Sequence, residues 1–128
     1  MLLNFIYLVH AALALVLALL LFFYPEWATS MATGITWAPG DMADAAVVHA
    51  RFTAVGLILI VLSTTFARQS ASTRVRRAAV WSMILISLLA AFVSLLIPFH
   101  PLQTISAVVN AIFALAYLWV WVFNSEEI

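Results

Sequence analysis

The side chains best suited to chemistry in this chain are its three imidazoles, on His10, His49 and His100. Cysteine and lysine are absent, which excludes thiolate metal sites, cysteine nucleophiles and Schiff-base chemistry. Two imidazoles on facing helices can hold the iron of a b-type haem, and an imidazole can also ligate a chlorophyll-type pigment. A histidine within a membrane can equally hydrogen-bond a neighbouring helix, so cofactor binding and a structural role both stay open.

The positions of the three histidines predict how they could combine. His49 lies near the start of the second predicted helix and His100 at the turn before the fourth, so both are expected near one end of the molecule. His10 lies in the first helix, roughly 13 Å from its start, and shares a face with Ala14 and Ala18. We therefore expect His10 to point into the bundle, and His49 with His100 to be the candidate haem pair. No separate metal site is predicted.

Arg51, two tryptophans and an amide form a second group of candidates, suited to contacts with lipids or other ligands. Arg51 lies near the start of the second helix, where its long side chain could reach the membrane interface and meet an anionic headgroup. An ion pair with Asp44 is the competing structural interpretation. Trp27 and Trp37 belong to the loop after the first helix, and Asn110 lies on the fourth helix. Interface anchoring and interhelical hydrogen bonding are their structural alternatives.

Carboxylates that could support catalysis are missing from the apolar stretches. Glu26, Asp41 and Asp44 lie between the first two stretches, and Glu126 and Glu127 lie in the C-terminal tail. Acid–base catalysis needs a carboxylate or a histidine near a second polar group in a pocket, and proton or cation pathways in membranes usually use buried Asp or Glu. We therefore expect a protein without enzymatic activity, and no cofactor other than the haem or pigment named above.

Helices that cross a membrane must position these residues. Hydrophobic residues make up 67% of the 128 residues and charged residues 8%, so a water-soluble surface cannot be built from the chain. Uncharged stretches near the length that spans a bilayer, about 20 residues, recur along it. We predict an all-α integral membrane four-helix bundle that forms a single domain over residues 1–128. The helices are expected at about 2–24, 42–67, 74–97 and 101–123.

Arginine placement predicts the orientation of the bundle. Four of the five arginines lie between the second and third helices: Arg68, Arg74, Arg76 and Arg77. Short arginine-rich loops face the cytoplasm, so this loop and both termini are expected there, in an N-in/C-in topology. Aromatic residues expected in the interfacial belt on that side are Tyr7, Trp81, Tyr117, Trp119 and Trp121. The first stretch lacks the basic residues that begin a signal peptide, so we expect it to be retained.

Small and polar residues predict which helix faces pack together. On the second helix one face is formed by His49, Thr53, Gly56, Ile60 and Ser63. We expect this face to look inward, because small residues let helix backbones approach closely within lipid. The loop from Trp27 to Pro39 is apolar and uncharged. It is expected to lie on the membrane face or to cap the bundle.

Three functions fit these features. The favoured one is a small accessory or assembly subunit that packs against a larger membrane complex, or against itself, and contacts membrane lipids. The second is an electron-transfer or pigment protein that uses the histidines. The third is a lipid-binding or lipid-modifying protein built on Arg51 and the first loop. Net charge is zero, which gives no reason to expect nucleic acid as a partner.

Overall fold

A computed structural model describes residues 1–33, 44–96 and 101–128, with the side chains of 32, 33, 44, 45 and 101–103 left out. All regular structure in these ranges is helical. The α-helices are α1 (Leu2–Phe23), α2 (Pro25–Thr33), α3 (Asp44–Gln69), α4 (Thr73–Leu96) and α5 (Pro101–Phe123). A short 3₁₀ turn (Ser125–Glu127) ends the chain.

Four of these helices, α1, α3, α4 and α5, are long and apolar enough to cross a membrane. Their bounds lie within two residues of the ranges predicted from the sequence. The helix α2 was not predicted, because its nine residues include Glu26 and several hydroxyl side chains and make no long apolar run. The first part of the segment expected as a loop is therefore helical, and Pro25 occupies its first position, where a missing N–H costs nothing.

The long helices associate as two pairs. Helix α1 packs along α3, and α4 packs along α5, whereas contacts between the two pairs are far fewer. The turn between α3 and α4 is only three residues long and joins the pairs. Its Ser72 side chain accepts a hydrogen bond from the Val75 backbone N–H (3.5 Å), which caps the start of α4. Helix α2 crosses the far end of the bundle and contacts α1, α3 and α5.

Large side chains fill the bundle at the end that carries both termini, here called the termini end. The core cluster there combines residues from all four long helices and the C-terminal residue: Leu3, Ile6, Tyr7, Ala67, Val80, Met83, Ile84, Phe113, Tyr117, Val120 and Ile128. Because both Leu3 and Ile128 belong to it, together with Ala67 next to the α3–α4 turn, the termini and that turn lie at one end of the molecule.

Small side chains hold the opposite end, here called the α2 end. The buried residues nearer to it are Ala14, Ala18, Ala28, Ala50, Ala54, Ser87 and Ala107. Alanines on facing helices let the backbones approach closely, which increases van der Waals contact where lipid offers no hydrophobic driving force. Each helix pair is therefore held at this end by close backbone approach.

One carboxylate ties the two ends of the chain together. The Glu127 side chain accepts hydrogen bonds from the backbone N–H groups of Leu2 (3.1 Å) and Leu3 (2.8 Å) and lies 2.8 Å from the Met1 amino group. It satisfies N–H groups of the first turn of α1 that have no partner within the helix. The hydrogen bond from the Met1 amino group, with those from Leu3 and Leu2, holds the pKa of the Glu127 carboxyl below its ordinary value of 4.5.

The polar face of α3 points outward, so the interpretation that it looks inward is wrong. His49, Thr53, Gly56 and Ser63 are exposed, and only Ile60 is half-buried. The face that packs against α1 carries Ala50 and Ala54 instead. Helix α3 thus has two faces of small residues, and the chain itself uses one of them.

Candidate functional site

The most buried polar contact in the described spans joins His10 of α1 to Tyr117 of α5. His10 Nδ1 lies 2.9 Å from the Tyr117 hydroxyl, and the tautomer of the imidazole decides which atom donates. The His10 ring also stacks on Phe113, with centroids 4.3 Å apart and planes 17° from parallel. His10 therefore points into the bundle, as its spacing with Ala14 and Ala18 predicts, and it links the two helix pairs.

Two tyrosines that the sequence placed in an interfacial belt are instead part of this core. Tyr7 and Tyr117 are both fully buried, and their ring centroids lie 5.6 Å apart. The Tyr7 hydroxyl and the Ser87 hydroxyl have no hydrogen-bond partner among the described residues. The spacing of these residues in the sequence could have indicated this core. Tyr7 lies one turn before His10 on α1, and Phe113 lies one turn before Tyr117 on α5, so each pair shares one helix face.

Two of the histidines considered as cofactor ligands, His10 and His49, lie far apart in this arrangement. His49 is exposed, and it lies two residues from Arg51, whose side chain meets Phe22 at the last turn of α1. His10 lies twelve residues before Phe22 on α1, which is roughly 18 Å along the helix axis. One iron cannot take both His10 and His49. His100 lies outside the described residues, so haem binding by His49 and His100 stays a prediction.

Arg51 and Trp27, two of the expected lipid contacts, line one pocket at the α2 end. The pocket has a volume of about 360 Å³ and is also lined by Tyr24, Glu26 and Val47. The Arg51 Nε–H donates to the Phe22 carbonyl oxygen (3.4 Å), and the guanidinium lies 5.8 Å from the centre of the Phe22 ring. Sequence reasoning missed Phe22, because no pattern in one sequence pairs the end of α1 with the start of α3.

The other two expected contacts do not join this pocket. Asn110 is half-buried on α5, where its Nδ2 donates to the Ser106 carbonyl oxygen (2.9 Å). The Ser106 hydroxyl in turn lies 3.2 Å from the Ser94 hydroxyl of α4, a contact that joins these two helices. Trp37 lies outside the described residues. Contact between a ligand and Asn110 or Trp37 stays a prediction.

A third feature is an open apolar groove between α3 and α4 of about 500 Å³. Thr53, Gly56 and Ser63 line it from α3, and Met83 and Ile86 line it from α4. A side-chain carbon added at Gly56 would meet nothing within 4 Å. The surface at Gly56 is therefore open among the described residues.

These features differ in the chemistry that they permit. The His10–Tyr117 contact is a buried hydrogen bond, and neither α1 nor α5 carries a carboxylate. No group of three His, Asp or Glu side chains within residues 1–33, 44–96 and 101–128 is placed to hold a metal ion. The Arg51 pocket and the α3–α4 groove are open concavities on the surface. No protein-family model matches the chain, and no curated protein or solved structure shows significant similarity to it.

Proposed function

We propose that this chain is a non-enzymatic accessory or assembly subunit of a larger membrane complex, and that a partner helix packs into its α3–α4 groove. Four helices long and apolar enough to cross a bilayer support a small multi-pass membrane protein. The observation that carries the proposal is the second small-residue face of α3, exposed along the groove at Thr53, Gly56 and Ser63.

Among the four long helices, α3 is the most exposed in the described part of the chain. Only 11% of its spanning window is buried, against 28% for α1 and 22% for both α4 and α5. Lipid-facing surfaces need only be apolar, whereas residues that let another backbone approach closely are typical of helix contacts. Glycine within a helix costs about 1 kcal/mol relative to alanine, and no side chain or neighbouring helix among the described residues fills the space beside Gly56. A partner helix that approaches at Gly56 would make use of that space.

The experiment uses a photo-crosslinking amino acid placed in the groove of the full chain in its native membrane. At Ser63 it should capture one defined membrane protein. Thr65, exposed on the same helix about 200° away around the axis, is the matched control and should capture none. Capture of the chain by itself would replace the accessory role with self-association, and equal labelling at both positions would refute a specific groove contact.

Gly56→Leu separates partner binding from the stability of the chain. Among the described residues, the added Cβ meets no side chain and no neighbouring helix within 4 Å, so helix content and thermal stability should be kept or raised. Capture from Ser63 should fall at least tenfold, because the leucine occupies the space of the partner helix. Unchanged capture would contradict the proposed docking site.

We also propose that the termini end faces the cytoplasm. Arg68, Arg74, Arg76 and Arg77 lie in or beside the α3–α4 turn, at the same end as both termini. Arginine-rich short loops stay on the cytoplasmic side. A cysteine introduced at Ser70 should react with an impermeant maleimide only after the membrane is opened. Labelling of intact cells at this position would reverse the orientation.

An absorption spectrum of the purified protein tests the cofactor alternative. The accessory role predicts a colourless protein. A reducible Soret band that disappears in His49→Ala would overturn that role in favour of a haem protein.

A further inference from the structure

Four arginines cluster around the α3–α4 turn, at the termini end of the bundle: Arg68, Arg74, Arg76 and Arg77. None of their side chains forms an ion pair or a hydrogen bond with another residue in the described part of the chain. The C-terminal tail brings two glutamates to this end, and the carboxylate of Glu127 is already bound by the first turn of α1. This end therefore carries an excess of positive charge.

The ends of the helices affect these arginines differently. Arg68 lies in the last turn of α3, where carbonyl groups carry partial negative charge that offsets its own. Arg74 and Arg77 lie at the start of α4, where N–H groups carry partial positive charge, and like charges three residues apart also repel each other. The first turn of α4 contains no acidic residue. An anion from outside the chain would remove this repulsion.

Arg74 and Arg77 share one face of α4 with apolar residues further along the helix. Trp81, Leu85 and Leu88 follow them at a spacing that keeps all five within a strip about 80° wide around the helix axis. All five side chains are exposed. This set of five residues, here called the α4 strip, is therefore open along its length among the described residues.

The order of side chains along the α4 strip is charged, then aromatic, then aliphatic. Trp81 lies one turn after Arg77, and its ring meets the Trp121 ring of α5 edge to face, with centroids 5.1 Å apart. Tryptophans concentrate at the membrane interface, and a residue one turn further out reaches the level of the lipid phosphates. Leu88 lies roughly 10 Å deeper than Trp81. A phospholipid has the same order of phosphate, glycerol and acyl chain.

The charges on α4 indicate which class of headgroup fits. Helix α4 carries no Asp or Glu, so the α4 strip offers no carboxylate to an ammonium group. A headgroup with an ammonium would add a positive charge beside Arg74 and Arg77. A headgroup with a phosphate and only hydroxyl groups keeps its negative charge, and guanidinium groups bind phosphate through paired N–H donors. Anionic headgroups also attract basic residues that flank a membrane-spanning helix.

We infer that the α4 strip binds an anionic phospholipid, with its phosphate between Arg74 and Arg77 and an acyl chain along the aliphatic part of the strip. The inference rests on the proposed location in a bilayer and is independent of the proposed partner subunit. The partner groove is lined from α4 by Met83 and Ile86, which lie on a different face of that helix.

Native mass spectrometry of the purified full chain in detergent tests the inference, with phosphatidylglycerol and phosphatidylethanolamine as probes. Phosphatidylglycerol should bind at least tenfold more tightly. Arg77→Gln should weaken its binding about tenfold, which corresponds to the loss of a charged hydrogen bond. Arg68→Gln removes the same charge from the same end of the molecule and is the matched control, with binding unchanged within twofold. Equal affinity for the two lipids, or equal losses in the two variants, would overturn the site.

Glycerophosphoglycerol, which is the headgroup without acyl chains, distinguishes a lipid from a soluble phosphate compound. It should bind at least tenfold more weakly than phosphatidylglycerol, because it cannot contact the aliphatic part of the α4 strip. Equal affinity for the two compounds would mean that the arginines bind phosphate alone, and would overturn the lipid.

Thermal unfolding in detergent separates a lost site from a lost fold. Without lipid, Arg77→Gln should unfold at the same temperature as the unaltered chain or above it, because the variant lacks one positive charge at the start of α4. Phosphatidylglycerol should raise the unfolding temperature of the unaltered chain and of Arg68→Gln, but not that of Arg77→Gln. A lower unfolding temperature of Arg77→Gln without lipid would assign this arginine to the fold and overturn its role in the site.

Lipid binding and partner capture fail independently. A chain that prefers phosphatidylglycerol but captures nothing from Ser63 supports this inference and refutes the accessory role. A chain that captures a partner but shows no lipid preference refutes only the lipid site. Lower capture in Arg77→Gln, with lipid binding unchanged, would assign the arginines to an acidic surface of the partner and overturn the lipid site.

Discussion

The termini end and the α2 end of this bundle use different residues for the same task of holding helices together. At the termini end, large side chains such as Tyr7, Met83 and Tyr117 interlock across both helix pairs. At the α2 end the buried residues are small, and the two pockets between α1, α2 and α3 lie there. The α3–α4 groove lies at the middle of the bundle and reaches Met83 of the core cluster. Large buried side chains are therefore concentrated at one end, and two of the three pockets lie at the other.

The largest expected effect is the loss of a core aromatic residue at the termini end. Tyr117→Ala removes a fully buried side chain that contacts Tyr7 and His10, and should destabilise the bundle by roughly 3–5 kcal/mol. Unfolding in mixed detergent micelles, followed by circular dichroism, measures the change. Trp119→Ala, at an exposed position on the same helix, should cost less than about 1 kcal/mol. Similar losses in both variants would refute a core concentrated at this end.

Overpacking the α2 end should have a smaller effect. Ala14→Leu places a larger side chain on the buried face of α1 and should cost about 1–3 kcal/mol in the same assay. Ala12→Leu, at an exposed position on α1, supplies the matched control and should be close to neutral. If Ala14→Leu is tolerated equally well, close approach of the backbones does not hold this end.

The sequence predicts the long helices well because the lengths of the apolar stretches and the positions of charged residues mark their bounds. The sequence predicts the packing of the helices poorly. Small residues indicate that a helix face packs closely, but they do not show which helix, or which other chain, packs against it. On α3, Ala50 and Ala54 face α1, whereas Gly56 and Ser63 were expected inside and are exposed. The Arg51 pocket was foreseen only as separate residues, since it forms where the end of α1 meets the start of α3.

The His10–Tyr117 hydrogen bond, which joins the two helix pairs, should contribute less to the free energy of unfolding than the packing of the side chains around it. In a double-mutant cycle of His10→Phe and Tyr117→Phe, we expect a coupling energy of about 0.6 kcal/mol, which is typical of interhelical hydrogen bonds in membranes. The same unfolding assay gives all four corners of the cycle. A coupling energy several times larger would mean that this hydrogen bond, rather than side-chain packing, holds the two helix pairs together at the termini end.

The smallest expected effect is the pH dependence of the contact between the chain's ends. Because the folded pKa of Glu127 lies below 4.5, its stabilising contribution is complete above that pH and is lost as the pH falls through the lowered value. Hydrogen-exchange protection of the Leu2 and Leu3 amides should decrease over that window. Glu127→Gln should abolish this change, and Glu126→Gln should keep it. An unaltered pH response in Glu127→Gln would assign the titration to another group.

The pairing of the helices also has a consequence for the order of assembly. Helices α4 and α5 are separated by only four residues, so they can associate as a hairpin as soon as both are inserted. Helices α1 and α3 must instead close a longer connection that contains α2, and the core at the termini end can form only when both pairs exist. Two fragments divided at Ser70 should therefore insert separately and reassemble when expressed together. Biogenesis of the bundle then resembles the dimerisation of two helical hairpins within one chain.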